Sequence, residues 1–211
     1  MAGACIRAMK VYSSWLLVLA MSVATHRANG DGVADLIVKA EKGEAVAQLE
    51  LGGIYLKGEG VTKDVAEAVK WLSKAAELGN SEAQMKLGGI YISGRGVLKN
   101  SVEAAKWYMM SAEQGNAAAQ CQIGRMHLTG VGVPKDDVEA YKWSNLAATQ
   151  GDAAAKKVIA FLLIRMTSKQ IAEGKQRSED FIDAKNAGKS LGLPDETPSL
   201  PEEPLPLFTP E

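Results

Sequence analysis

Residues 44–79 read EAVAQLELGGIYLKGEGVTKDVAEAVKWLSKAAELG, residues 80–115 NSEAQMKLGGIYISGRGVLKNSVEAAKWYMMSAEQG, and residues 116–151 NAAAQCQIGRMHLTGVGVPKDDVEAYKWSNLAATQG. The three segments align without a gap at a step of 36 residues. Gly43, Gly79, Gly115 and Gly151 keep that step, as do Trp71, Trp107 and Trp143. Gly58/Gly94/Gly130, Gly60/Gly96/Gly132, Val61/Val97/Val133 and Ala68/Ala104/Ala140 repeat with them. Self-similarity at a period of roughly 20–50 residues marks a chain of identical supersecondary units, each burying its apolar face only against its neighbours. The expected fold is therefore all-α: a right-handed α/α solenoid of antiparallel helix pairs. Such a chain offers a surface that holds a partner.

Within a unit the residue types divide the chain into two helices. In the second unit, Asn80 is a good N-cap, because its side-chain oxygen accepts an orphan backbone N–H. Asn116 and Asp152 fill the same slot. A first helix is expected over Ser81–Ile92, with Ala83, Leu87, Ile90 and Tyr91 at helical spacing. Gly94 stops it, since glycine adopts the left-handed conformation that ends helices at little cost. The second helix opens on Asp64-x-x-Glu67, Asn100-x-x-Glu103 and Asp136-x-x-Glu139, three capping boxes in one register. Second helices are expected over Val65–Leu78, Ser101–Gln114 and Asp137–Gln150, with the tryptophans filling the space between helices and alanines allowing close approach.

The ends differ from the repeats. Residues 1–30 have the form of a secretory signal peptide. Arg7 and Lys10 precede a short apolar run, Trp15–Ala24, and cleavage is expected after Ala24 or after Gly30, retention as an anchor being the alternative. Residues 31–43 suit an N-terminal capping helix. Residues 152–187 begin as a fourth first-helix but lack the GxG turn; Thr167-x-x-Gln170 instead starts a helix expected over Ser168–Asn186. Residues 188–211 hold six of the seven prolines and are expected to form a disordered tail. The formal charge of −1 gives no electrostatic footprint for nucleic acid. Once a signal peptide carrying Cys5 is removed, Cys121 is the single thiol, so stability must come from stacking and not from internal disulfides.

The pattern A-x-x-x-L-G-x-x-Y-x-x-G-x-G-V-x-x-D followed by A-x-x-W and A-A-x-x-G resembles the Sel1-like repeat family, α/α units related to tetratricopeptide repeats. Ala47, Leu51, Gly52, Tyr55, Gly58, Gly60, Val61, Asp64, Ala68, Trp71, Ala75, Ala76 and Gly79 carry it in the first unit, and the segment Met166–Ala172 resembles the helix that often closes such arrays. The resemblance covers roughly residues 31–186. It implies a bacterial adaptor or scaffold, often of the envelope. Some exported relatives carry a disulfide in each repeat and are linked to β-lactam binding or hydrolysis; the cysteines for that are absent here, and the resemblance does not carry that activity over.

Residues tempting for chemistry have plainer roles in the repeat. The Gly52–Gly60 stretch follows a helix, not the strand that a phosphate-binding loop requires. Cys121 shares the slot of Leu49 and Met85, and His127 that of Tyr55 and Tyr91, so both are expected to pack. No cofactor, metal or catalytic residue is expected. More informative are positions freed from the core pattern. Steps of four, three and four select Val46, Glu50, Gly53 and Lys57 on the first helix of unit one. The equivalents are Glu82, Lys86, Gly89 and Ser93, then Ala118, Gln122, Arg125 and Thr129. In stacked helix pairs the first helix commonly lines the concave side, so this face is a candidate mixed-charge groove for a protein partner. The expected function is a periplasmic adaptor, touching the membrane only through its signal peptide. A polysaccharide-binding wall module and a β-lactam or peptidoglycan hydrolase are the alternatives.

Overall fold

The computed structural model describes residues 32–188, and within them the chain is helical with no strand. Helix α1 (residues 32–41) stands alone. Three pairs follow: α2 (Ala45–Lys57) with α3 (Val65–Glu77), α4 (Ser81–Ser93) with α5 (Ser101–Glu113), and α6 (Ala117–Thr129) with α7 (Asp137–Thr149). The chain closes with α8 (Ala153–Arg165) and α9 (Ser168–Asn186). Each second helix also packs on the first helix of the next unit, so the molecule is an α/α solenoid. The proposed signal peptide and the proline-rich tail lie outside the described residues.

Side chains expected to pack do so. Trp107 and Trp143 belong to one apolar cluster running from Val69 in α3 to Phe181 in α9. Trp71 joins a second cluster with Leu36 and Ile37 of α1, which thereby caps the first repeat. Within a unit the helices approach closely because the first helix offers a glycine at the crossing. A Cβ on Gly52 would lie 2.6 Å from Leu72 Cγ, and one on Gly88 2.5 Å from Tyr108 Cδ1. Between units the tie is a buried glutamine. Gln48, Gln84 and Gln120 donate their side-chain amides to the carbonyls of Ala40, Ala76 and Ala112, each at 3.0 Å. Gln114 and Gln150 in turn donate to the side-chain oxygens of Gln84 and Gln120 at 2.8 Å. Each of these carbonyls at a helix end accepts from the glycine N–H that follows, Gly43, Gly79 or Gly115, and also from the glutamine of the next repeat.

The three expected capping boxes form only by half. Asp64 accepts from Ala66 and Glu67 N–H, Asn100 from Glu103 N–H, and Asp136 from Val138 and Glu139 N–H. The return bond from the glutamate to the cap N–H is replaced. The N–H of Asp64, Asn100 and Asp136 donates to the carbonyls of Tyr55, Tyr91 and His127 in the preceding helix. Those bonds pin the loop between the two helices of a unit. The glutamates, released, pair with Lys70, Lys106 and Lys142 one turn on. At Thr167 and Gln170 the previous helix makes no such demand, and the complete box is present.

Helix α9 begins and ends at the residues expected, but it does not continue the stack. It folds back along α7 to the end of α5. Gly174 lies against Tyr141, Ser178 Oγ donates to Lys142 O, and Phe181 meets Trp143 edge-on with ring centroids 5.3 Å apart. Arg177 bridges Glu139 of α7 and Glu173 of its own helix, and Lys185 donates to Gln114 O at 2.7 Å.

Close to this closure, burial pushes the half-buried Glu113 carboxyl up to about 7, with Lys142 pulling the other way more weakly. A carboxyl whose folded pKa lies above its ordinary value of 4.5 favours the fold when protonated. That contribution is complete below pH 4.5 and disappears as pH climbs to about 7. Glu113→Gln is therefore expected to be neutral in acid and stabilising above neutrality. Thermal melts of both proteins from about pH 4.5 to pH 8 check this; a Tm difference independent of pH would contradict it.

Candidate functional site

The candidate groove residues occupy the side of α2, α4 and α6 opposite the buried positions. Val46, Glu50 and Lys57 are exposed on α2, Glu82 on α4 and Arg125 on α6, while Lys86 and Gln122 are half-buried. Two cations on this face are already paired: Lys57 with Glu59 at 3.4 Å and Lys86 with Glu82 at 3.2 Å. Glu50 and Arg125 make no ion pair among the described residues. The face thus carries a free anion in the first unit and a free cation in the third.

Its floor is open at the glycines. A Cβ on Gly53 would meet nothing within 4 Å, and one on Gly89 only the Tyr108 hydroxyl at 3.7 Å. Tyr108 is buried against α4 of its own unit, and the Arg125 charge opposes the rise in its pKa that burial causes. The Tyr108 hydroxyl thus borders the floor at Gly89. Tyr108 was not among the residues selected from the sequence, because its own helix assigns it to the core. Gly53→Ala is expected to stabilise the protein by about 0.5–1 kcal/mol, the difference in helix propensity. The neighbouring Gly52→Ala is expected to destabilise it by about 1–3 kcal/mol through overpacking on Leu72. Urea titrations of the two variants should move in opposite directions.

The face continues further than the GxG pattern suggests. One step of 36 residues beyond Ala118, Gln122, Arg125 and Thr129 lie Ala154, Val158, Phe161 and Arg165 of α8. Phe161 is exposed, with the Arg165 guanidinium 5.5 Å from its ring centre. Arg165 is also held by Asp137 at 3.1 Å. The missed signal was the period itself, carried one unit past the last turn motif.

Cys121 takes the packing role expected, while His127 is half-buried and makes a polar contact. Cys121 is buried against Ala147 and Ala155, and burial pushes its thiol up to about 11, which keeps it un-ionised near neutrality. Nδ1 of His127 lies 3.1 Å from Pro134 O. Among the described residues no three His, Cys, Asp or Glu side chains converge as metal ligands.

The Sel1 repeat matches residues 45–80, 81–116 and 117–152, just over half of the 211-residue chain. The chain superposes on a Sel1 repeat protein from Oxalobacter formigenes with a TM-score of 0.58 and 41% identity, covering 61% of this chain and 97% of that one. It superposes on c5321, a protective antigen of uropathogenic Escherichia coli with an SLR fold, with a TM-score of 0.66 and 30% identity, covering 78% of this chain and 37% of that one. Over 37 residues, 18% of this chain and 8% of its relative, it is 54% identical to the secretory immunoglobulin A-binding protein EsiB of Escherichia coli O6:H1. The chain thus spans well under half the length of either Escherichia coli protein. With three matched repeats and a solenoid built from them, the chain belongs to the Sel1 repeat family.

Proposed function

We propose that this protein is an exported, non-catalytic adaptor that binds a protein segment along the first-helix face. The observation that carries this reading is the continuity of that face. Four successive first helices present solvent-accessible side chains at equivalent positions 36 residues apart, from Glu50 past Arg125 to Phe161, and Gly53 and Gly89 add no bulk in the first two units. A preformed surface lowers the ordering cost of association. The unpaired anion and cation at opposite ends would orient a segment of opposite polarity, and Phe161 would take an apolar side chain. Export is supported by the basic-then-apolar N-terminus. The descriptions of the relatives, one a protective antigen and one a binder of secretory immunoglobulin A, fit the same setting.

The test is capture from the native envelope after cross-linking, with the mature protein as bait. Glu50→Lys, Lys86→Glu and Arg125→Glu combined should abolish capture of the specific partner. Lys74→Glu and Lys106→Glu, on second helices, should leave it unchanged. Equal capture by both sets would remove the groove from consideration. A β-lactam turnover assay on the same preparation addresses the hydrolase alternative directly.

A further inference from the structure

The far end of the solenoid leaves a helix face without the cover its counterparts have. In units one to three the first helix is covered by its own second helix. Helix α9 would be that cover for α8, but it lies instead along α7. Only Ala155 and Leu162 of α8 are buried. Ile164 is 87% exposed, Phe161 51% and Leu163 48%. At helical spacing Ala153, Lys157, Ala160 and Ile164 form one strip, with Phe161 on one margin and Leu163 and Lys156 on the other. Apolar patches of this kind on a soluble domain mark sites of interaction.

The charge of the strip selects its occupant. Helix α8 carries Lys156, Lys157 and Arg165 and no acidic residue, and neither lysine makes an ion pair among the described residues. A second α8 would bring like charge against it. The segment 189–211 of the same chain holds five acidic residues against one lysine, and it contains Glu202-Glu203-Pro204-Leu205-Pro206-Leu207-Phe208. We infer that residues 202–208 dock on the exposed face of α8, their glutamates toward Lys156 and Lys157 and their apolar side chains toward Phe161, Leu163 and Ile164.

Dimensions agree with that placement. Pro204 and Pro206 favour the polyproline II conformation, which advances ~3.1 Å per residue with three residues per turn. Glu202 and Leu205 then share a side ~9 Å apart. The seven-residue step from Lys157 to Ile164 along α8 is ~10 Å. Return along the 19 residues of α9 requires ~28 Å, and the sixteen residues 189–204 span ~50 Å when extended. The α8 face gives one part of this segment a place to bind. The inference shares Phe161 with the groove proposal, but it rests on Lys157 and Ile164, which lie off the groove register, so failure of the groove reading leaves it testable.

The experiment uses the full mature chain, mixed from isotopically light and heavy preparations, and treated with a zero-length carbodiimide cross-linker. Lys156 or Lys157 is expected to join Glu202 or Glu203 within one chain, in the monomeric fraction. Leu207→Ala with Phe208→Ala should reduce that product at least several-fold without changing the helical circular dichroism. Glu202→Lys with Glu203→Lys should release the segment and raise binding of a fluorescent apolar dye, and adding Lys156→Glu with Lys157→Glu should restore the wild-type level. Links only between light and heavy chains would assign the face to a second copy and overturn the inference. So would a cross-link indifferent to Leu207 and Phe208, or dye binding unchanged by the charge reversal.

Discussion

Trp107→Ala is expected to lower the free energy of unfolding by about 3–5 kcal/mol, the range for removing a large aromatic side chain from a packed core. Whole domains are stable by about 5–15 kcal/mol, so the loss is a large fraction of what holds this chain together. Trp107 is 2% exposed and sits in the apolar cluster that joins all three repeats. In a solenoid each unit is stabilised by its neighbours, so a cavity at unit two weakens the coupling on both sides. The urea transition of the variant should move to lower concentration and broaden. Trp71→Ala is expected to cost less. Trp71 packs in the smaller cluster with α1, and its ring is also covered by the ammonium groups of Lys74 and Lys70, 4.5 Å and 5.6 Å from the ring centre. Its loss should loosen the N-terminal cap and leave units two and three cooperative. Equal losses at both sites, or a loss below about 1 kcal/mol at Trp107, would show that the tryptophans are not the struts of a shared interior.

What could be read from the chain, and what could not, follows from whether a feature is local or depends on where helices meet. The repeat, the helix ends at Gly58, Gly94 and Gly130, and the span of α9 all rest on residues within a few positions of each other. Each appears where the residue types place it. The half-formed capping boxes show the limit. Glu67 has the right spacing to return to Asp64 N–H, but the Tyr55 carbonyl, brought in by the loop fold, takes that donor first. A tertiary acceptor outcompetes a local one, and sequence spacing does not register the competition. Glutamine at positions 48, 84 and 120 passes for a surface residue by type; its recurrence every 36 residues is the clue that it carries an inter-repeat bond. For α9, the pattern gives a helix with one buried stripe but not the surface that receives it. The contact of Phe181 with Trp143 decides that. The groove face is legible as a register, and Phe161 falls on it only when the 36-residue period is carried one unit past the last GxG turn.

Gly132→Ala is expected to be among the most damaging single-methyl changes the chain can suffer, at about 2–5 kcal/mol. Two effects combine. Gly132 has φ +75°, in the left-handed region, where a Cβ costs roughly 1–2 kcal/mol. That Cβ would also fall on the carbonyl oxygen of Ser101, the first residue of α5. Backbone cannot rotate away as a side chain can, so the contact displaces the loop and adds an overpacking cost of about 1–3 kcal/mol. The second glycine of the GxG turn is thus more than a tight corner within unit three. It is where the loop of one repeat rests on the second helix of the repeat before it. Gly96 repeats the arrangement one unit earlier, its Cβ position 2.6 Å from Val65 Cβ at the start of α3. Gly151 separates the two effects. It has φ +95° but nothing within 4 Å of a Cβ, so Gly151→Ala should cost only the conformational part, roughly 1–2 kcal/mol. Equilibrium unfolding of the two variants gives the inter-repeat contribution by difference. If Gly132→Ala cost no more than Gly151→Ala, the loops would be passive connectors, and the stack would depend on helix packing and the glutamine bonds alone.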